Sequence, residues 1–524
     1  MNAITEIVRP ERIVLEHKTE NAEALTREKP LQISLTEPDL TVIRAGGYVV
    51  LDYGAELAGG VRLLSFKGSK KVRLRLGESV SEACSEITGG TATNDHAVRD
   101  GVFCLPDFSD QSYFNSGFRF LRIDCLEGEL GLKCAVAEYT HFAGEQLGSF
   151  ECDRPLLNEI FATAARTVML NLQNGYIWDG IKRDRLVWIG DIHPEMLAAT
   201  HVFGRLENIE RALDFVREGT PLPKWMNDFP TYSMWWLLIL KDYYMLTGAR
   251  EFVLESVNYV IELSEQINKL ITHDGELKLD FIFLDWPTHD KPDEAPGVHA
   301  LALLAMQAAI SLCADFGVEN VAAAQAEEKL KRYAVRAEKS KQAIAMQLLA
   351  GYNSAVDKLL EGGSAGMSTF MSYYILRAVH NSGYGKQALS MLEEYYGGML
   401  SLGATSFWED FDICWLNNAA PITRLPEDGE VDVHASFGAY CYVGFRHSLC
   451  HGWSSGPVPY LFRLILGFEP LEAGCKTVRI KPDLCGLKYV NAKIPVPGGL
   501  IEVKACEGKK TEIKAPAGIK VITD

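Results

Sequence analysis

Acids, arginines and tryptophans crowd into a few short stretches of this 524-residue sequence. The densest runs from Asn174 to Glu195 (NGYIWDGIKRDRLVWIGDIHPE) and sets Asp179, Asp184 and Asp191 among Lys182, Arg183, Arg185 and Trp188. Its glycines argue for a loop between helices, and loops on a rigid scaffold are where active sites concentrate. The same composition also suits a structural ion-pair network on a rim. A second stretch, Thr405 to Asp412, holds Trp408, Glu409 and Asp410. An aromatic ring stacks on the apolar face of a pyranose while carboxylates bind its hydroxyls. Cleaving a glycosidic bond takes two carboxyl groups, one to protonate the leaving oxygen and one to activate water or attack carbon. Burial beside a tryptophan keeps such an acid protonated near neutral pH. The plainer alternative puts Trp408 in the core and pairs Glu409 with an arginine.

A third stretch gathers His434, His447, His451 and Trp453. These histidines do not have the spacing of a zinc-binding helix, so no metal is expected. Cys450 and His451 are adjacent, and neighbours on a chain rarely face each other, so core or pocket-wall duty is the reading for this stretch. The fourth and weakest candidate is Asp285-Trp286-Pro287, between an outer and an inner helix, where the pair either lines the pocket or closes the core.

The elements that must position these residues show three periodicities. From about 30 to 145 the pattern is that of strands: Val72, Leu74 and Leu76 alternate with Arg73 and Arg75, with breaks at Gly59-Gly60 and Gly89-Gly90. From about 153 the period is helical. Segments 230–247, 297–316 and 367–381 are apolar nearly all round, whereas 251–271, 321–349 and 386–398 carry one apolar stripe. A helix apolar on every face is buried and a striped one lies outside, so the alternation predicts an inner ring wrapped by an outer one, an (α/α)6 toroid. No fixed-period repeat supports a stacked solenoid. After about 468 strand patterns return. The expected organisation is an N-terminal β-sandwich over 1–148, the toroid over 149–467 and a small β domain over 468–524.

Bulk properties narrow the classes. The chain is 47% hydrophobic and 23% charged, with a net charge of −17, ordinary for a folded protein and unsuited to nucleic acid or anionic membranes. The opening residues show no secretory signal, and the twelve cysteines form no CxxC pair. Free thiols in a reducing cytoplasm are the expectation.

The stretch Asp179–Asp191 (DGIKRDRLVWIGD) is similar to the signature of the bacterial α-L-rhamnosidases of glycoside hydrolase family 78. Leu51-Asp52-Tyr53-Gly54, Gly117-Phe118-Arg119-Phe120, Asp242-Tyr243-Tyr244 and Ser406-Phe407-Trp408-Glu409 extend the resemblance over most of the chain. It implies an inverting glycosidase that needs no cofactor and takes a carbohydrate substrate, terminal α-L-rhamnose first. Asp184 falls on the general acid. Asp179 and Asp191 fall on acids that hold sugar hydroxyls, with Arg183 and Trp188 beside them. Two departures stand out. The family's acid is usually a glutamate, one methylene longer than Asp184. Its usual base is a late glutamate, whereas Ser448–Tyr460 here contains no carboxylate. Glu409 is therefore chosen as base. Asp285, Trp286, Trp408, His451 and Trp453 complete the expected pocket. Two other outcomes remain open: a toroid lyase or glycosidase acting on uronic acids, and a sugar-binding relative without catalysis. A homodimer is compatible with either.

Overall fold

A computed structural model describes residues 3–86, 99–289, 291–333 and 336–523; the expected break at Gly89-Gly90 lies outside them. Seven strands open the chain: β1 (Ala3–Val8), β2 (Arg12–Glu20), β3 (Thr41–Lys67), β4 (Ser69–Gly77), β5 (Asp100–Leu105), β6 (Ser109–Cys125) and β7 (Glu129–Phe142). They form one antiparallel ladder in the order β1-β7-β3-β6-β4-β5, with β2 added on β3. The expected sandwich is thus built as a continuous sheet. The 27-residue β3 makes that possible by changing partners along its length. Residues 48–52 pair with β2 and β6, and residues 59–65 with β6 and β7, with a register break between Asp52 and Leu57. Val72, Leu74 and Leu76 are buried as their alternation requires. Arg75, on the other face, is also buried and donates to Asp124 at 2.8 Å. A short helix, α1 (Val80–Cys84), follows β4 and is capped by Ser79.

The central domain is a double ring. Its outer helices are α2 (Pro155–Asn171), α4 (Glu207–Gly219), α6 (Arg250–Lys269), α8 (Val321–Arg332), α10 (Val356–Leu360) and α12 (Gly385–Ser401). The inner ones are α3 (Ile192–Phe203), α5 (Pro230–Thr247), α7 (Ala295–Asp315), α9 (Lys341–Leu349), α11 (Ser372–Asn381) and, after the single turn α13 (Val433–Ser436), α14 (Pro457–Tyr460), which continues as a π-turn through Ile465. Each inner helix packs on the next, and α14 packs back on α3, closing the circle. Sequence explains the layering. In α6 the buried residues Val253, Val257, Val260, Leu263 and Ile267 form one stripe. In α7 almost every residue from Pro296 to Cys313 is buried. Pro292–Asp315 is long and apolar enough to cross a membrane, but here its faces meet α5, α8 and α9. Each fully buried Leu or Val contributes roughly 1.5–3 kcal/mol.

The stretch 321–349 is not one outer helix, as its charge suggests. It breaks after Arg332 and resumes as the inner helix α9, capped by the Ser340 hydroxyl accepting from Ala343 N. The closing helix α14, which begins with Pro457, was not legible as a helix at all.

The C-terminal unit contains a three-stranded sheet of β9 (Phe468–Pro470), β10 (Thr477–Ile480) and β14 (Lys520–Ile522). A four-stranded sheet joins β13 (Glu512–Lys514), β12 (Gly499–Cys506), β11 (Tyr489–Val496) and β8 (Ser149–Cys152), in that order. The segment at 149–152 therefore belongs to the C-terminal sheet and not to the ring it precedes. Gly248, at φ 65° after α5, ends that helix in the left-handed conformation, and a Cβ there would lie 2.8 Å from the Gly474 Cα.

Candidate active site

All six inner helices run the same way, so the loops that enter them collect at one mouth of the ring. Residues 179–191 lead into α3, 285–294 into α7, 364–371 into α11 and 447–456 into α14, and 405–412 follow α12 alongside. Backbone contacts fasten these loops together. Gly180 bridges His451, Gly452 N donates to Asp179 O at 2.8 Å, His451 N to Phe407 O at 3.0 Å, and Glu409 N to Ser448 O at 2.9 Å. Stretches more than two hundred residues apart in sequence thereby share one cup.

Arg183 is its centre. Nη1 donates to Asp184 Oδ2 at 2.8 Å, Nη2 pairs with Glu409 Oε1, and Nε donates to the Arg446 carbonyl at 2.9 Å. One planar guanidinium thus sets the spacing of the two carboxylates. Glu409 Oε2 accepts from Ser448 N at 3.0 Å. Burial raises the Glu409 pKa, and Arg183 together with Ser448 N opposes the rise. The ring of His451 lies 3.8 Å from Glu409 Oε1 and 3.9 Å from Asp179 Oδ2 and packs on Trp453 at 4.1 Å between centroids. Burial, reinforced by Arg183, holds His451 neutral. Trp453 donates its Nε1–H to the Glu409 carbonyl at 2.9 Å. Asp184 and Arg185 sit at φ 55° and 58°, a conformation that disfavours non-glycine residues by about 1 kcal/mol or more. Arg185 is pinned by Asn115 O at 2.8 Å and by the face of Trp178.

Around this pair stand acids that burial pushes toward the protonated form. Asp179 is pushed well above its usual range by burial and by its neighbours Asp191 and Asp184, although it accepts from Leu186 N at 2.9 Å. Asp191 is pushed up to about 8 by burial, even with the Tyr232 hydroxyl donating to it at 2.8 Å. Asp285, bonded by the Ser368 hydroxyl, also reaches about 8, and Asp410 about 7, both through burial. A cup that ionised every one of these groups would carry a charge it could not solvate.

The expected residues are largely brought together. Asp179, Arg183, Asp184, Glu409, His451 and Trp453 form the contact network just described, with Asp191 beside it. Trp188 and Trp286 join an aromatic wall that runs from Trp188 to Tyr232, Phe283 and Trp286 at centroid separations of 6.3, 5.9 and 4.9 Å; both tryptophans are half-buried. Asp285 borders the cup through its electrostatic contact with Asp410. Trp408 requires a correction. It is fully buried, edge-on to Phe411 and His447, so it presents no face to a sugar and supports the Glu409 loop from behind. The plainer readings of the second stretch, a core Trp408 and an arginine-paired Glu409, both hold.

Three residues escaped sequence reasoning. Tyr232 lies in an apolar helix with nothing to mark it. Asp410 stood beside Glu409 without a separate role. Glu195 is wholly buried, and neither of its oxygens has a hydrogen-bond partner among the described residues. A lone acid in the apolar run IHPEMLAATHVF was the available signal. Gly452 is required beside it, since a Cβ there would overlap the Glu195 carboxyl.

Lys182, from the same loop, turns away from the cup. Its ammonium lies 3.1 Å from Glu78, 3.0 Å from Glu82 and 3.2 Å from His434 Nε2. Those three residues are close enough to hold a metal ion, but the lysine nitrogen fills the space between them.

Residues 145–358 match the family model of the bacterial α-L-rhamnosidase six-hairpin glycosidase domain. The match takes in the ring from α2 through α9 and most of α10. Solved structures agree on the fold. A family 78 rhamnosidase of Bacillus sp. GL1 superposes with a TM-score of 0.74 at 22% identity, covering 96% of this chain and 55% of its own. The α-L-rhamnosidase of Dictyoglomus thermophilum gives 0.71 at 17%, covering 99% and 58%. A Klebsiella oxytoca rhamnosidase with rhamnose bound gives 0.68 at 18%, covering 88% and 95%. The chain thus spans little more than half the length of the first two. No curated protein matches the sequence. A central α-helical ring and its flanking β-rich units account for the described residues.

Proposed function

We propose that the chain is an inverting glycosidase that removes terminal α-L-rhamnose, or a related deoxyhexose, from small glycosides or oligosaccharides. Asp184 is the general acid and Glu409 the general base. The observation that carries this reading is the pairing of both carboxylates with the one guanidinium of Arg183 at the mouth of the ring. Inversion needs the two carboxyls about 6.5–9.5 Å apart so that a water fits between them. The protonated Asp179 and Asp191 are suited to donate to sugar hydroxyls, and the wall from Trp188 to Trp286 to cover a deoxyhexose methyl group. A uronate is disfavoured because the Arg183 guanidinium is already engaged by Asp184 and Glu409. The names of the similar structures point to the same sugar.

The decisive experiment is a panel of aryl glycosides of α-L-rhamnose, other deoxyhexoses and uronic acids, with the product anomer read by NMR. Asp184→Asn is expected to lower turnover of a nitrophenyl rhamnoside by about 10²–10⁴ while sparing a dinitrophenyl one, whose leaving group needs no proton. Glu409→Gln is expected to impair both. Equal losses on both substrates in Asp184→Asn would remove it from the acid role. Rhamnose binding without hydrolysis of any glycoside would identify a non-catalytic relative. The proposal places the enzyme inside the cell, on imported glycosides; fractionation of the native host tests that.

A further inference from the structure

The ring has a second mouth. Where the C-terminal halves of the inner helices meet the C-terminal β unit, a cavity of about 530 Å³ runs into the ring axis from the end opposite the carboxyl cup. Its size suits a small molecule of one or two rings. The floor is aromatic: Trp235 packs on His193 and on Tyr374 at 5.6 and 5.1 Å, and the Tyr374 hydroxyl is 2.7 Å from His193 Nδ1.

The rim is basic, in a chain whose overall charge is −17. Lys241, Arg377, Arg463, Arg479 and Lys481 border the cavity, against two acids, Asp242 and Glu469. Asp242 answers Lys241 and Arg463, each at 3.1 Å, and Glu469 answers Arg479. Arg377 and Lys481 are left over. Neither side chain makes a hydrogen bond or ion pair among the described residues. Arg463 is largely buried, and its Nε also lacks a partner. A partly buried guanidinium with no counter-ion is unfavourable unless something supplies one. Two uncompensated cations beside an orphaned arginine donor match a dianion with several acceptor oxygens, and the forked donors of arginine suit a phosphoryl group.

We propose that this rear cavity is a binding site for a small organic phosphate, with Arg377, Arg463 and Lys481 on the phosphoryl group and the Trp235–His193–Tyr374 floor against the body of the ligand. The site is separate from the carboxyl cup and does not depend on the reading of the cup as a glycosidase.

Calorimetry on the full chain tests it, using inorganic phosphate, glucose 6-phosphate, glucose and galacturonate as probes. Saturable binding of glucose 6-phosphate is expected, weaker binding of phosphate, and none of glucose. Arg377→Gln should weaken glucose 6-phosphate binding about tenfold, as should the exposed Lys481→Gln to a smaller degree, with rhamnoside turnover and thermal midpoint unchanged. Asp191→Asn, in the cup, should leave the affinity as it is. No binding of either phosphate, binding indifferent to both rear substitutions, or binding lost in Asp191→Asn would each overturn the proposal. Binding of galacturonate in place of the phosphates would overturn the choice of ligand.

Discussion

Two groups of buried acids lie on either side of the same loop, and they solve the problem of burial in opposite ways. Glu78 and Glu82 face Lys182 at 3.1 and 3.0 Å, and Arg99 also pairs with Glu82. There burial is outweighed at Glu82 by Arg99 and Lys182, which hold it down to about 2, while at Glu78 burial prevails over Lys182 and raises it. Glu78 also holds Leu449 N at 2.6 Å and Ser448, so the network ties the N-terminal sheet to the loop that enters α14. On the other side burial pushes Asp179, Asp191 and Glu195 toward the neutral form, and Arg183 only partly opposes it at Asp179 and Asp191. Residue type does not distinguish the two groups. The placing of the buried cation does: Lys182 lies within 3.1 Å of both Glu78 and Glu82, whereas the buried Arg183 is taken up by Asp184 and Glu409.

The contrast can be broken most forcefully at Lys182. Lys182→Met leaves Glu78 and Glu82 buried with one cation fewer, and we expect a loss of about 3–5 kcal/mol of stability in urea titrations. A loss below 1 kcal/mol would show that the two sides do not differ as described. Gly452→Ala forces a methyl group onto the Glu195 carboxyl; overpacking of this kind typically costs about 1–3 kcal/mol, and because the loop carries His451 and Trp453 turnover should fall as well. The neutral side makes a prediction in pH. Asp191 has a folded pKa of about 8, against about 3.9 unfolded. Between those values the unfolded chain gives up a proton that the native cup keeps, so stability present below the unfolded pKa is lost as pH rises toward 8. The urea midpoint of the wild type should therefore drop from pH 5 to 8, and Asp191→Asn should flatten that slope. The smallest effect belongs to Glu195→Gln. If the glutamate is already neutral, an amide of the same shape should change the urea midpoint by less than about 1 kcal/mol. A collapse of stability there would mean that Glu195 is ionised.

Much of the scaffold was legible because burial leaves a periodic trace. α5, α7 and α11 announce themselves by lacking a polar face, and α6 and α12 by having one. Legibility failed where the trace was short or mixed. The nine residues of α9 follow a charged run with only Ser340 to mark the change, and α14 begins with proline. In the site, the acids of 179–191 were readable as a group because they are close in sequence. Their meeting with Glu409, His451 and Trp453 was not readable from spacing, since it depends on every inner helix pointing one way. The role of Trp408 was misread for a related reason: composition shows an aromatic beside acids but not the side of the loop from which it packs.

The strand at Ser149–Cys152 has a consequence for how the molecule can be rearranged. It precedes the first outer helix yet completes a sheet whose other members begin after residue 488, so the start and finish of the ring are clasped by one set of backbone hydrogen bonds. Any recombination that exchanged the tail for a foreign module would have to carry those four residues along or leave β11 with a bare edge. Inheritance has to treat the ring and its tail as a single unit of exchange.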